Sequence, residues 1–318
     1  MKTMAARTVF RNPVLLGCMF AAASVSQDRP AFRSSLNLVT IPCTVVDARG
    51  NPVTGLTREE FRVYDNGARR IVGNLWFDTD EPLTLGVIID TSESQKDQLA
   101  EHRQTALDLL ERILRPGDRA FVISVGGDVR LWADLAGTAA EIRKQMAADP
   151  GERVGQPCPP RPTLPGFPSA SVCGGSPLWN AIYEAASVKL RPLAGNRALL
   201  ILTDGFDTGS THTWRQAADE IARAEASVYA VQYRSGLGGR FAPDLYRLLE
   251  ESGGAWFGAP AGKYGPIVAR LETDLRRRYE LGFRPDGLAG EVRHEVRVEV
   301  TRPDLTVRAR KAYFQAPR

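Results

Sequence analysis

The sequence predicts an α/β fold: a doubly wound, mostly parallel sheet of Rossmann-like type, inserted between the strands of a smaller β-sandwich. Three observations carry this. Between residues 80 and 278, short apolar runs alternate with stretches of helical periodicity, and such alternation requires a parallel sheet with helices on both faces. One run, Leu85-Gly86-Val87-Ile88-Ile89, is short, rich in β-branched residues and bounded by turn chemistry, as a central strand must be. Near both ends of the chain, by contrast, the apolar residues recur with period two, the mark of half-buried antiparallel strands.

Taken in order, the chain opens with Lys2, Arg7 and Arg11, an apolar stretch from Val14 to Ala23, and small residues to Ser26. This is the pattern of a secretory signal over 1–26, with Ser24 and Ser26 flanking the cleavage point. Leu15-Leu16-Gly17-Cys18 also resembles a bacterial lipobox, which would make Cys18 a lipid-anchored first residue. The apolar core before Cys18 is short and continues past it, which favours simple cleavage. No later run reaches the roughly 18 apolar residues that span a bilayer. The expectation is an exported chain, periplasmic, envelope-associated or extracellular, without a transmembrane segment.

A polar linker, 27–34, leads to the first sandwich strands, 35–79. An alternating strand from Asn37 to Asp47 precedes the turn Ala48-Arg49-Gly50-Asn51-Pro52. Leu56 to Phe61 suits a short helical turn, Asp65-Asn66-Gly67 is a hairpin signal, and Arg70 to Phe77 is expected as the returning strand. These strands need partners, and the far end supplies them over 279–318. Tyr279 to Phe283 is one. Val292, His294, Val296, Val298 and Val300 line one face of another, opposite Arg293, Glu295, Arg297 and Glu299. Leu305 to Phe314 is expected to return beside it as a hairpin partner.

The inserted domain, 80–278, continues after the central strand with a helix striped by Leu99, Ala106, Leu107, Leu110, Ile113 and Leu114, closed by Arg115-Pro116-Gly117. Strands follow at Arg119–Val125 and Val129–Trp132, then a helix over 139–147. A Pro/Gly-rich segment, 150–175, interrupts the rhythm. Helix Asn180–Leu190, strand Ala198–Thr203, helix Thr213–Ala226, strand Val228–Tyr233, helix Asp244–Glu251, edge strand Ala255–Phe257 and helix Ile267–Arg278 complete it.

Composition narrows function. With 41 basic and 37 acidic residues in 318, the net charge is +4, too small a field to imply a nucleic-acid partner. Cys43 shares a face with Val39, Ile41 and Val45 and reads as a buried free thiol. Cys158 and Cys173 bracket the proline-rich segment, and in an exported chain a disulfide between them would shorten that loop. The basic residues Arg276-Arg277-Arg278, Arg308, Arg310 and Lys311 read as a solvated helix end and strand face rather than a binding patch.

The chemistry lies after the central strand, where Asp90, Ser92 and Ser94 fall on the loop at its carboxyl end. Ligands of open α/β sheets bind at such ends, and a carboxylate with two hydroxyls offers the hard oxygen donors Mg²⁺ takes while keeping some of its waters. Asp90-Thr91-Ser92-Glu93-Ser94 resembles the D-x-S-x-S signature of von Willebrand factor type A domains, whose metal-ion-dependent adhesion site holds a divalent cation. Two further pieces follow in order. Gly174-Gly175-Ser176-Pro177-Leu178 resembles the loop that supplies a threonine, with Ser176 in its place, and Ala198 to Gly205 resembles the strand end that supplies Asp204.

The resemblance implies Ser92, Ser94 and Ser176 as hydroxyl ligands of Mg²⁺ (or Mn²⁺), and Asp90 and Asp204 as carboxylates, often acting through water. Asn180 stands where many bacterial relatives have Asp and is not expected as a ligand. From the Pro52–Thr57 turn to the terminal strands, the chain is similar to bacterial proteins carrying a von Willebrand factor type A-related domain. Few protein carboxylates complete the shell, so a position is left open, and in adhesive members a partner protein's carboxylate fills it. The expected function is therefore metal-dependent recognition of a protein ligand, in adhesion or envelope assembly; the alternative is a metal-independent envelope scaffold.

A hydrolase is a weaker reading. The chain has three histidines, and neither an H-E-x-x-H helix nor a second metal cluster is visible. His102 falls on a helix, His294 on an apolar strand face, and His212 on a loop where it is expected to be solvated. No enzyme activity is expected.

Overall fold

The computed structural model describes residues 38–77, 80–92, 95, 99–148, 175–203, 205–233, 242–259, 265–285 and 292–315. The signal and lipobox, Cys18, Cys158, Cys173, Ser94 and Asp204 lie outside the described residues.

The strands, in chain order, are β1 (Val39–Val46), β2 (Phe61–Asp65), β3 (Ala68–Arg70), β4 (Val72–Phe77), β5 (Leu83–Asp90), β6 (Arg119–Val125), β7 (Val129–Ala136), β8 (Asn196–Thr203), β9 (Ser227–Tyr233), β10 (Ala255–Ala259), β11 (Tyr279–Phe283), β12 (Val292–Val300), β13 (Thr306–Ala309) and β14 (Ala312–Gln315). The helices are α1 (Leu99–Ile113), α2 (Ala139–Ala148), α3 (Leu178–Glu184), α4 (Trp214–Arg223), α5 (Pro243–Glu251) and α6 (Gly265–Arg276), and a π-helical stretch, Ala185–Leu190, prolongs α3.

One sheet has the order β10-β9-β8-β5-β6-β7. Its pairs are parallel except β6 with β7. Strand β5 lies inside this sheet, buried along its whole length. Leu85, Val87 and Ile89 face α1, α2 and α6, whereas Ile88 faces α3, α4 and α5. Gly86 is required on the second face: a Cβ there would stand 2.5 Å from the Phe121 ring and 2.8 Å from Leu199. The sheet is thus doubly wound. Because β6 lies on one side of β5 and β8 on the other, the carboxyl end of β5 is the switch point at which such sheets open a crevice.

The opposite end is closed by a buried ion pair. Arg276 at the end of α6 binds Asp118, whose carboxylate also accepts from Leu83 N at 2.8 Å and Arg115 N at 2.7 Å. One carboxylate therefore fixes the start of β5, the loop before β6 and the end of α6.

Two four-stranded sheets, β13-β1-β11-β4 and β14-β12-β2-β3, draw strands from both ends of the chain and enclose a core of Ile41, Cys43, Val63, Tyr279, Leu281, Phe283 and Tyr313. The α/β sheet is thus inserted between the strands of a β-sandwich. Cys43 is buried and free, and burial raises its thiol pKa well above the ordinary range.

Two expected strands divide. The run Arg70–Phe77 does not return as one hairpin strand: β3 closes the hairpin with β2, the chain passes exposed Ile71, and β4 pairs with β11 in the facing sheet. Leu305–Phe314 divides likewise, β13 joining β1 and β14 joining β12. Period two is the same whichever sheet accepts a strand, so alternation did not reveal these corners. Val292, expected on the inner face, is exposed.

The sandwich is fastened to the α/β domain. Arg308 on β13 donates to both oxygens of Asp274 on α6 at 2.9 Å, and Lys311 N donates to Glu251 O at 2.8 Å. Of the basic residues expected on a solvated helix end and strand face, Arg276, Arg308 and Arg310 are instead engaged in ion pairs or buried.

Candidate metal and ligand site

The apolar run of β5 delivers Asp90 to the carboxyl edge of the sheet fully buried. Burial of a carboxylate is costly unless its oxygens are bonded, and both are. Oδ1 accepts from Ser92 N at 3.0 Å, and Oδ2 from the Thr203 hydroxyl at 2.7 Å. Thr203 ends the neighbouring strand β8; its Oγ1 also accepts from Gly205 N at 2.9 Å. Thr91 N donates to Val125 O of β6 at 2.7 Å, so the loop after β5 is anchored on both flanks.

Ser176 lies at the same edge, just before α3. Its main chain pairs with Thr208 as an isolated antiparallel bridge: Ser176 N donates to Thr208 Oγ1 at 2.7 Å and Thr208 N donates to Ser176 O at 2.9 Å. The Ser176 side chain, only 4% exposed, keeps a hydroxyl oxygen with no hydrogen-bond partner. Buried hydroxyls are normally bonded, so the Ser176 oxygen is an unfilled acceptor at this edge.

The loop between β8 and α4 is held from below. Asp207 Oδ1 accepts from Trp179 N in the first turn of α3 at 3.1 Å and from Ser210 Oγ at 2.5 Å. Asn180, wholly buried on α3, turns its Oδ1 to four donors: Thr211 N at 3.0 Å, Thr211 Oγ1 at 3.2 Å, His212 N at 3.0 Å and His212 Nδ1 at 2.9 Å. Because this oxygen can only accept, His212 carries its proton on Nδ1. His212 is half-buried and stacks on Tyr183 with ring centroids 3.9 Å apart. The expectation of a solvated loop histidine is corrected: the ring is a packed part of the loop.

The structure thus brings Asp90, Ser92 and Ser176 to one edge; Ser94 and Asp204, the remaining two of the expected set, lie outside the described residues. Among the described residues, no group of three or more His, Cys, Asp or Glu side chains could hold a metal ion. Sequence reasoning missed Thr203, Thr208 and Asn180 as partners of the site. Thr203 carried a signal, a hydroxyl at the very end of an apolar strand, and Asn180 carried one in its place after Ser176; Thr208 carried none.

No protein-family model matches the chain, and no curated protein matches it in sequence. Solved structures are similar in fold. Proximal thread matrix protein 1 of the mussel byssus, in a form with a zinc-occupied metal-ion-dependent adhesion site, is 12% identical, with 65% of this chain and 48% of that one covered at a TM-score of 0.47. The von Willebrand factor domain of the type V pilus tip protein Mfa5 from Porphyromonas gingivalis is 11% identical, covering 63% of this chain and 98% of that one at 0.42. An aerotolerance-related membrane protein from Bacteroides fragilis is 13% identical, covering 61% and 98% at 0.43. The chain spans about half the length of the mussel protein. The doubly wound sheet with its switch point at β5 rests on this chain's own strand order, and the site on its own residues.

Proposed function

We propose that the chain binds a divalent cation, Mg²⁺ or Mn²⁺, through Asp90, Ser92, Ser94, Ser176 and Asp204, and recognises a protein ligand whose carboxylate completes the metal shell. The observation that carries this reading is the buried, unpartnered Ser176 hydroxyl at the sheet edge where Asp90 ends β5. Bound there, the cation would supply a positive charge that a partner's carboxylate could meet. The chain's own residues supply the oxygens and hold them still: Thr203 fixes one oxygen of Asp90, and the backbone of Ser92 fixes the other.

Phe206, 46% exposed beside buried Gly205, forms the apolar rim against which such a ligand packs. Aromatic residues are enriched in protein interfaces. The chain acts in adhesion or envelope assembly after export, and not as an enzyme. Among the described residues, no helix is long and apolar enough to cross a membrane.

Titration calorimetry tests the site. Wild-type protein is expected to bind Mn²⁺ with millimolar or tighter affinity, and Asp90→Ala and Ser92→Ala to lose that binding. Unchanged binding in both variants would refute the assignment. Crosslinking capture from the native envelope, with Mg²⁺ or with chelator, then separates the readings: a partner set indifferent to chelator supports the metal-independent scaffold.

A further inference from the structure

We infer that Thr208 is the positioning residue for the Ser176 hydroxyl, so that metal affinity at this edge depends on a side chain that does not itself touch the metal. The inference rests on the proposed cation site. The restraint on the Ser176 amide comes from the facing loop. That restraint is Thr208, which binds both backbone groups of Ser176, taking its N–H on Oγ1 at 2.7 Å and giving its own N–H to the Ser176 carbonyl at 2.9 Å. The carbonyl is shared with Leu178 N at 2.8 Å, which couples it to the first turn of α3.

With both main-chain groups committed, the hydroxyl is the only polar group of Ser176 left over, and it is buried without a partner. The two loops touch closely enough that a Cβ on Gly175 would lie 2.2 Å from Thr208 O, so the bridge excludes any larger residue at that position. Thr208 is in turn held in place by its neighbours. Asp207 is bonded to Trp179 N and Ser210 Oγ, and Thr211 and His212 are bonded to Asn180. The main chain that carries the hydroxyl is therefore held before any metal arrives, which spares the cation the entropy of ordering the loop.

Outer partners that orient a ligand typically change metal affinity by about 10–100-fold when removed. Valine at position 208 keeps the shape and removes the acceptor of Ser176 N; serine keeps the acceptor. Mn²⁺ dissociation constants from electron paramagnetic resonance are therefore compared for wild type, Ser176→Ala, Thr208→Val and Thr208→Ser, alongside the melting temperature of each without metal. Thr208→Val is expected to weaken Mn²⁺ by about tenfold or more, and Thr208→Ser to stay within about threefold of wild type. Thr208→Ala replaces the valine variant if that one does not fold.

A merely structural role would lower the metal-free melting temperature of Thr208→Val and leave its Mn²⁺ affinity unchanged. That result, or equal losses in the valine and serine variants, overturns the inference while leaving the cation site intact. If wild type binds no Mn²⁺, or Ser176→Ala binds as wild type does, both the site assignment and the role of Thr208 fall.

Discussion

Glu184 gives the sharpest quantitative test of the structure. It sits on α3, one turn beyond Asn180, only 4% exposed, and its Oε2 has no hydrogen-bond partner. Burial disfavours the charged carboxylate and raises its pKa from 4.5 to about 7. The folded protein therefore holds this proton more tightly than the unfolded chain does. The contribution to stability is fully present below the unfolded pKa of 4.5 and is lost as pH rises towards about 7. At about 1.36 kcal/mol per tenfold change in proton affinity, the loss amounts to about 3 kcal/mol.

Glu184→Gln keeps the size and removes the ionisation. Both side chains bury an unpaired polar group, so that cost cancels between two pH values, and the stability difference, mutant minus wild type, isolates the charge. This difference is expected to rise by about 3 kcal/mol from pH 4 to pH 8. Equilibrium urea unfolding in chelator at the two pH values measures it. A difference that stays constant within about 0.5 kcal/mol would show that Glu184 ionises as readily folded as unfolded, and would refute its burial.

Other outcomes follow from the same contacts. Asp118→Ala strips a buried carboxylate from Arg276, Leu83 N and Arg115 N; breaking such a pair costs about 3–5 kcal/mol, read as a lower urea midpoint at unchanged m. Asn180→Ala leaves the Thr211 and His212 donors without their acceptor, which costs about 1–3 kcal/mol and speeds amide exchange in loop 205–212 in particular. Phe206→Ala is expected to reduce ligand capture without changing Mn²⁺ affinity; equal capture would remove Phe206 from the interface. Reduction and alkylation are expected to shift the intact mass of native protein as one Cys158–Cys173 disulfide requires, and accessible thiols at both positions before reduction would exclude it.

Much of the fold was legible because its signals are local. Leu83–Asp90 is apolar along its length because both faces of β5 are covered, and the period-two pattern of β12 follows from one face packing on a core. The sandwich corners were not legible. Ile71 and the turn between β13 and β14 pass strands from one sheet to the other, and alternation does not specify which neighbour a strand chooses. His212 was misread for a related reason: a loop position in sequence says nothing of Tyr183 and Asn180 beneath it.

The sequence by itself determined that a carboxylate and spaced hydroxyls follow a central strand, since three consecutive motif pieces need no tertiary knowledge to be recognised. Only the tertiary structure decided how those groups are held. Thr203 on Asp90, Thr208 on Ser176 and Asn180 under His212 join residues 113, 32 and 32 positions apart, and such contacts exist only once β5, β8 and α3 pack together. Motifs record which atoms are offered; hydrogen bonds between distant loops, formed in the packed interior, fix where those atoms stand.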